Sequence, residues 1–232
     1  MPINLLFVAM LCTSLLSQIY VSIPLIHQFK NISMLLIVFG SSYIFGEKLT
    51  TSSILAVIMM SIGSFMSGME HVTVHSYGYL WLIVNSICTS TYILYIHHIT
   101  RMMHIHSVGM VYYNNLFSMA ILVPIAFLSN ELHLLNDLLN MMKSEFCIVN
   151  LIAGVIGFGL NIASFHCIQH TSALTYSIIG ALNKIPLLFI GQLVFDYDLL
   201  DHFGVLYLCT TVLGGVIYVC GKYNYNKEVR KK

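Results

Sequence analysis

Charged residues are what this sequence lacks most clearly. They make up 8% of its 232 residues, whereas hydrophobic residues make up 58% and the mean hydropathy is +0.84. A soluble domain carries about 25% charged residues, so there is too little polar surface here to cover a water-soluble globule. The composition therefore predicts an integral membrane protein, with the lipid bilayer as its surroundings.

Other absences narrow the class further. The six cysteines lie in or beside apolar runs and form no Cys-x-x-Cys pair, which argues against a disulfide or zinc framework. The formal net charge is only +1, so nucleic acid is not predicted as a partner. The first residues lack a basic segment and a small-x-small cleavage site, and no signal peptide is predicted.

Apolar runs of the length that crosses a bilayer, about 20 residues, predict a multi-span bundle of eight transmembrane helices. Pro24 separates the first two runs, because proline disfavours helix at the residue before it, and residues 170–172 (HTS) separate the sixth run from the seventh. The fold class is therefore an all-α membrane protein. The predicted spans are residues 3–21, 22–45, 50–69, 77–100, 109–129, 146–168, 172–195 and 202–222.

The basic residues predict the orientation. An even number of spans places both ends on one side, and the basic tail at 223–232 favours the cytosol for that side. Seven of the ten lysines and arginines are then cytosolic, and seven of the nine acidic residues lie on the opposite side. Only Lys30 and Lys184 remain inside spans.

Residues 27–50 and 180–201 resemble each other weakly. Each has an asparagine beside a lysine before isoleucine, then an apolar run, a phenylalanine and an acid. The two segments cross the membrane in opposite directions, which is the pattern of an inverted repeat. The predicted repeats are 1–69 with three spans and 77–222 with five, so the first repeat is expected to lack two helices.

The two lysines within spans require an explanation, because a charge at the bilayer centre costs roughly 2.5–3.5 kcal/mol on insertion scales. Lys30 lies some eight residues into its span and Lys184 about twelve, which disfavours snorkelling to the interface. No aspartate or glutamate lies inside a predicted span, so an internal ion pair and a membrane enzyme both lack their acid. An anionic ligand, such as a diphosphate that engages both lysines, is the favoured alternative.

Two further groups of residues stand out. Asn114 and Asn115 follow two tyrosines near the cytosolic end of a span. Their amides suit either the polar edge of a base or hydrogen bonds between helices, and both interpretations stay open. Small residues at 154–164 and 214–215 favour close helix packing, whereas the Gly180–Ala181 pair would also let a ligand approach the backbone.

Histidines are frequent, but their spacing predicts no metal site. His166 and His170 lie four residues apart on one predicted helical face, and no acid or cysteine completes a set of ligands around them. No metal and no other cofactor is therefore predicted.

The motifs YYNN (112–115) and GALNK (180–184) resemble the signature motifs FYNN and GALNK of Golgi GDP-mannose transporters. These are nucleotide-sugar transporters of the drug/metabolite transporter superfamily. The segments PINLLFVAM (2–10) and FKN (29–31) resemble the same family. The resemblance implies a fold of ten helices in two inverted halves, of which this chain would match helices three to ten.

The resemblance also implies a transport activity, the exchange of cytosolic GDP-mannose for lumenal GMP. In the implied site, the two asparagines bind guanine beside a tyrosine and a serine, the two lysines hold phosphate, and the remaining residues contact nucleotide, phosphate and sugar. The implied substrate-binding residues are Lys30, Tyr113, Asn114, Asn115, Ser164, Tyr176, Gly180, Ala181, Asn183 and Lys184.

The sequence departs from the family pattern at two positions: Ile26 replaces an aromatic residue and Asn161 replaces an expected serine. The expected location is the Golgi membrane with both ends in the cytosol, and the endoplasmic reticulum or a vesicle membrane is the alternative. A homodimer is left open. The alternative function is that of a shortened, non-transporting paralogue that binds nucleotide or pairs with a full-length transporter.

Overall fold

The computed structural model of the chain describes residues 2–21, 23–46, 49–68, 76–102, 106–128, 144–183, 186 and 202–229. These residues form eight helices and no strand. The helices are α1 (Pro2–Tyr20), α2 (Ile23–Phe45), α3 (Thr51–Gly68), α4 (Ser76–Met102), α5 (Ser107–Leu128), α6 (Ser144–His170), α7 (Ala173–Leu182) and α8 (His202–Val229). Each helix begins within two residues of a predicted span, so the predicted helical segments are confirmed in the described residues, whereas eight membrane crossings stay a prediction; the later part of the seventh span lies outside the described residues.

Helix length and composition fit a bilayer. Four helices, α1, α4, α5 and α6, are long and apolar enough to cross a membrane, and shorter apolar segments lie in α2, α3 and α7. In hydrocarbon every backbone N–H and C=O group must be paired within the protein, and a helix does this within a single segment. The predicted class, an all-α membrane protein, is confirmed.

Local sequence sets the helix ends. Pro24 lies in the first turn of α2, where its missing N–H is not needed. Gly46 ends α2 with φ of +61°, a backbone conformation that glycine adopts without strain, and its N–H donates to the Ser42 carbonyl at 3.1 Å. Ser172 caps α7, because its hydroxyl accepts the Thr175 N–H at 3.2 Å.

Helix α2 lies at the centre and contacts α1, α3, α4 and α7. One apolar core joins it to α4, α5, α6 and α7 around Phe165, and a second joins it to α3, α7 and α8 around Met60. Helices α3 and α8 pack antiparallel and close together. A Cβ atom on Gly214 would lie only 2.6 Å from Met60 Cγ and 3.0 Å from the Ala56 carbonyl oxygen.

The small residues divide into two groups. Gly214 and Gly215 make close helix contacts, which confirms that prediction for α8. The same prediction is wrong for Gly154, Gly157 and Gly159 of α6, because a Cβ at any of them would meet no described atom within 4 Å. Residues 144–160 are exposed and strongly apolar, a surface suited to lipid rather than to water.

Candidate functional site: a central cavity

A cavity of about 330 Å³ lies among α1, α2, α4, α6 and α7. Its volume falls at the lower end of the usual range for ligand pockets, roughly 300–1,000 Å³. Two sets of residues supply most of its polar groups, and Ser14 of α1 supplies another. The α6–α7 wall consists of Asn161, Ser164, Tyr176, Ser177, Gly180 and Ala181, and the α2–α4 wall consists of Asn31, Ser33, Asn85, Thr89 and Tyr92.

The α6–α7 wall depends on the tight turn between its two helices. The Thr171 N–H donates to the Cys167 carbonyl at 2.9 Å, and the Ser172 cap starts α7 at once. Helix α7 therefore turns back along the end of α6. This turn brings four predicted site residues to one cavity surface: Ser164, Tyr176, Gly180 and Ala181.

At Gly180 no described side chain covers the backbone of this wall. Gly180 borders the cavity, and a Cβ built on it would meet no described atom within 4 Å. Its neighbour Ala181 is buried in the second apolar core. A ligand can therefore approach the α7 backbone at Gly180, as the Gly-Ala pair suggested.

The predicted base-binding residues on α5 lie behind the cavity. Asn114 is 2% exposed, and its Nδ2 donates to the hydroxyl of Tyr92, a cavity residue, at 3.4 Å. Its Oδ1 is buried and has no hydrogen-bond partner in the described part of the chain. Asn114 thus links α5 to α4 and still offers an acceptor, so a role in base binding stays a prediction.

The other α5 residues do not border the described cavity. Tyr113 is exposed and its ring stacks on Phe117 at a centroid distance of 6.4 Å, whereas Asn115 is half-buried. Asn4 of α1 holds this part of α5 by donating to the carbonyls of Tyr113 and Asn114, at 3.3 and 3.2 Å.

The remaining predicted residues are only partly described. Lys30 lies in α2, about one turn before Ser33. Asn183 is exposed and caps the end of α7, where its N–H donates to the Ile179 carbonyl at 2.9 Å. Lys184 lies outside the described residues, so the two-lysine diphosphate site stays a prediction.

Sequence reasoning missed most of the α2–α4 wall. Asn85 joins α4 to α1, because its Nδ2 donates to the Met10 carbonyl at 2.9 Å and to the Thr13 hydroxyl at 3.0 Å. Asn31 is fully buried, and the Ser33 and Thr89 hydroxyls lack partners in the described ranges. The only sequence signal was that these polar residues interrupt apolar spans.

The cavity is largely apolar, with a few polar groups and no charge among its described lining residues. Among the described residues that border it, none is acidic or basic, and the polar groups are amides and hydroxyls. His166 and His170 lie elsewhere, with ring centroids 4.3 Å apart. In the described part of the chain, no three histidine, cysteine or acidic side chains are grouped as metal ligands.

The sequence is similar to those of known proteins over most of the chain. No known protein-family model matches it. The chain is 30% identical to a GDP-mannose transporter of Meyerozyma guilliermondii, over 98% of its own length and 68% of that protein's. It is 28% identical to a probable GDP-mannose transporter 2 of Saccharomyces cerevisiae and 27% identical to a GDP-mannose transporter of Eremothecium gossypii, in each case over 95% of this chain and 71% of the relative. The chain belongs to the GDP-mannose transporter family.

Proposed function

We propose that this protein carries GDP-mannose across the Golgi membrane into the lumen, in exchange for GMP. The observation that carries the proposal is the central cavity, where the α6–α7 wall presents four residues of the family's expected binding set. The family relatives are named as transporters of this nucleotide sugar. A mostly apolar cavity with a few amides and hydroxyls is typical of ligand sites, where those polar groups orient the ligand.

Each part of the substrate has candidate partners. Guanine is assigned to Asn114 and Asn115 beside Tyr113, with Ser164 on α6. The diphosphate is assigned to Lys30 and Lys184, because two ammonium groups offset the charge of an anion that would otherwise be costly in the membrane. Tyr176, Gly180, Ala181 and Asn183 complete the contacts along α7.

The arrangement of the helices supports a carrier that works by alternating access. The proposed repeats are residues 1–69 and 77–222, followed by the cytosolic tail at 223–232. Helices of both repeats line the cavity, since α1 and α2 belong to the first and α4, α6 and α7 to the second. Transporters built from inverted repeats bind substrate near the midplane, where the repeats meet, and rock about that site.

Both ends are assigned to the cytosol, which places the exposed Lys227 of α8 on that side. Because GDP-mannose and GMP share guanosine and phosphate, one site can bind either. Binding each in turn makes the transport an exchange. The proposal needs no cofactor, and a homodimer is compatible with it.

The direct test is counter-transport in vesicles that contain the purified chain. Vesicles loaded with GMP should take up labelled GDP-mannose faster than vesicles loaded with CMP or with buffer. Equal uptake under all three conditions would contradict exchange. Saturable GDP-mannose binding without uptake would instead support the shortened, non-transporting alternative.

A further inference from the structure

Two hydroxyl groups on the α2–α4 wall are buried without a hydrogen bond. Ser33 is 2% exposed, and its Oγ has no partner among the described residues. Thr89 Oγ1 is likewise buried and unpaired. Both residues border the central cavity. Serines and threonines inside helices commonly donate to the carbonyl three or four residues earlier, so these two differ from the usual arrangement.

Neighbouring hydroxyls in the same helices show that usual arrangement. Ser41 of α2 donates to the Val38 carbonyl at 3.1 Å, and Ser90 of α4 donates to the Ser86 carbonyl at 2.8 Å. Both are buried, and neither borders the cavity. Among the described residues of these two helices, the buried unpaired hydroxyls are thus the ones beside the cavity, whereas Ser61 of α3 and Ser118 of α5 are buried and unpaired away from it.

The packing of α2 on α4 sets Ser33 and Thr89 side by side. The two helices run in the same direction, since the Ser86 hydroxyl donates to the Phe29 carbonyl at 3.5 Å and, further along both, Phe45 packs on His97 at 5.0 Å. Ser33 lies about one turn after Phe29, and Thr89 lies about one turn after Ser86. The two side chains therefore reach the cavity at the same level.

We propose that Ser33 and Thr89 bind the sugar of the nucleotide sugar, so that the α2–α4 wall recognises the hexose while the α6–α7 wall holds the nucleotide. A hexose hydroxyl both donates and accepts hydrogen bonds, as do the side chains of serine and threonine. The described residues around the pair are uncharged, including Asn31 and Asn85, and a neutral wall suits a neutral sugar better than a phosphate.

The inference rests on the proposed function and agrees with its arrangement of the diphosphate. Lys30, assigned to phosphate, precedes Ser33 by about one turn of α2. This spacing sets the sugar next to the diphosphate, as the covalent structure of a nucleotide sugar requires. In the bound state a rotation about χ1 turns each hydroxyl to the ligand.

The test compares GDP-mannose with GDP, because these ligands share guanosine and the diphosphate and differ in the sugar and in the free terminal phosphate of GDP. Binding of each to the purified full chain is measured by calorimetry for Ser33→Ala, Thr89→Val and the double variant. Each single substitution should weaken GDP-mannose binding about five- to tenfold, the worth of one hydrogen bond. GDP binding should change less than about twofold, a difference within the range of a neutral substitution.

Matched controls are Ser41→Ala and Ser90→Ala, which remove buried hydroxyls of the same helices away from the cavity. They should leave the ratio of GDP-mannose to GDP affinity unchanged. Thermal unfolding without ligand separates a binding defect from a folding defect. Ser33→Ala and Thr89→Val should keep or raise the midpoint, because an unpaired hydroxyl contributes no bond to the fold.

Three results would overturn the inference. Equal losses for GDP and GDP-mannose would assign the pair to the nucleotide or to general structure. Unchanged binding of both ligands would mean that the hydroxyls bind only water. Failure of the unaltered chain to bind either ligand would overturn the proposed function and this inference with it.

Discussion

The two walls of the cavity carry similar residue types and differ in how their polar atoms are satisfied. On the α6–α7 wall, the Ser177 hydroxyl donates to the Ala173 carbonyl at 3.0 Å, and Gly180 leaves its backbone open. On the α2–α4 wall, Ser33 and Thr89 have no partner in the described part of the chain. Burying an unpaired polar group costs about 1–3 kcal/mol. A polar ligand that pairs with these hydroxyls therefore stabilises the α2–α4 wall more than it stabilises the α6–α7 wall.

The difference indicates how the proposed carrier would divide recognition between the two walls of its cavity. The α6–α7 wall belongs to the second proposed repeat, and the α2–α4 wall joins helices of both repeats. A ligand that bridges the walls contacts both repeats at once. Binding can then bias the relative positions of the repeats, because a ligand shifts a conformational equilibrium only through differential contacts.

The largest effect is expected from Lys184→Ala, which removes a proposed phosphate cation next to the α6–α7 wall. Loss of one charged partner costs about 2–5 kcal/mol, so GDP-mannose exchange should fall by about 30-fold or more. Initial rates of counter-transport in vesicles measure this effect. The control is Lys227→Ala, which removes an equal charge from an exposed position on α8. Comparable rates for both variants would exclude the lysine from the site.

The second-largest effect is expected from a residue of the α2–α4 wall that has a structural role rather than a ligand-binding one. Asn85→Ala removes two hydrogen bonds between α4 and α1. The free energy of unfolding should fall by about 1–3 kcal/mol, because the Met10 carbonyl and the Thr13 hydroxyl lose a donor. Thermal unfolding in detergent measures the loss. Asn150→Ala is the control, since that exposed amide donates only within α6 to Phe146. A similar destabilisation of both variants would contradict the assignment.

The third effect tests the opening in the α6–α7 wall. Gly180→Ala adds a methyl group where no described atom lies within 4 Å, so the fold should keep its thermal midpoint. The same methyl meets a ligand that approaches the backbone. GDP-mannose affinity should therefore fall about tenfold, the lower range for one methyl in a binding pocket.

The matched control for this glycine is Gly157→Ala on the exposed face of α6, where a methyl group also meets no described atom. It should change neither the thermal midpoint nor the affinity. A loss of stability rather than affinity in Gly180→Ala would show that α7 packs there against protein and not against ligand.

The smallest effects are those of Ser33→Ala and Thr89→Val, about five- to tenfold on GDP-mannose and about nil on GDP. They test the difference between the walls most specifically. Only a division of recognition between the walls predicts a loss of affinity for GDP-mannose without an equal loss of affinity for GDP.

The sequence predicted the eight helices because apolar length is a strong signal in a membrane protein. Pro24 and residues 170–172 marked the helix junctions correctly, since proline and a capping serine act locally. Four residues that border the cavity on the α6–α7 wall, Ser164, Tyr176, Gly180 and Ala181, are among those that the resemblance to the family implied. These features depend on residues close in the sequence or on a motif that the family shares.

The α2–α4 wall could not be predicted in the same way. Ser33 and Thr89 look no different in the sequence from Ser41 and Ser90, which satisfy themselves within their helices. Which hydroxyl stays unpaired depends on how α2 packs against α4. The glycines of α6 were misassigned for the same reason, because whether a small residue meets a neighbour is decided by tertiary contacts.

The most direct test of the central claim, that one ligand lies between both walls, is photo-crosslinking with a photoreactive GDP-sugar analogue whose reactive group is on the sugar. Peptide mapping should place the crosslinks in α2 or α4, near Ser33 or Thr89, and unlabelled GDP-mannose should compete with them. An analogue with the group on guanine should instead label α5 or α6. Crosslinks on the exposed face of α6 at 144–160, unaffected by competitor, would contradict the account.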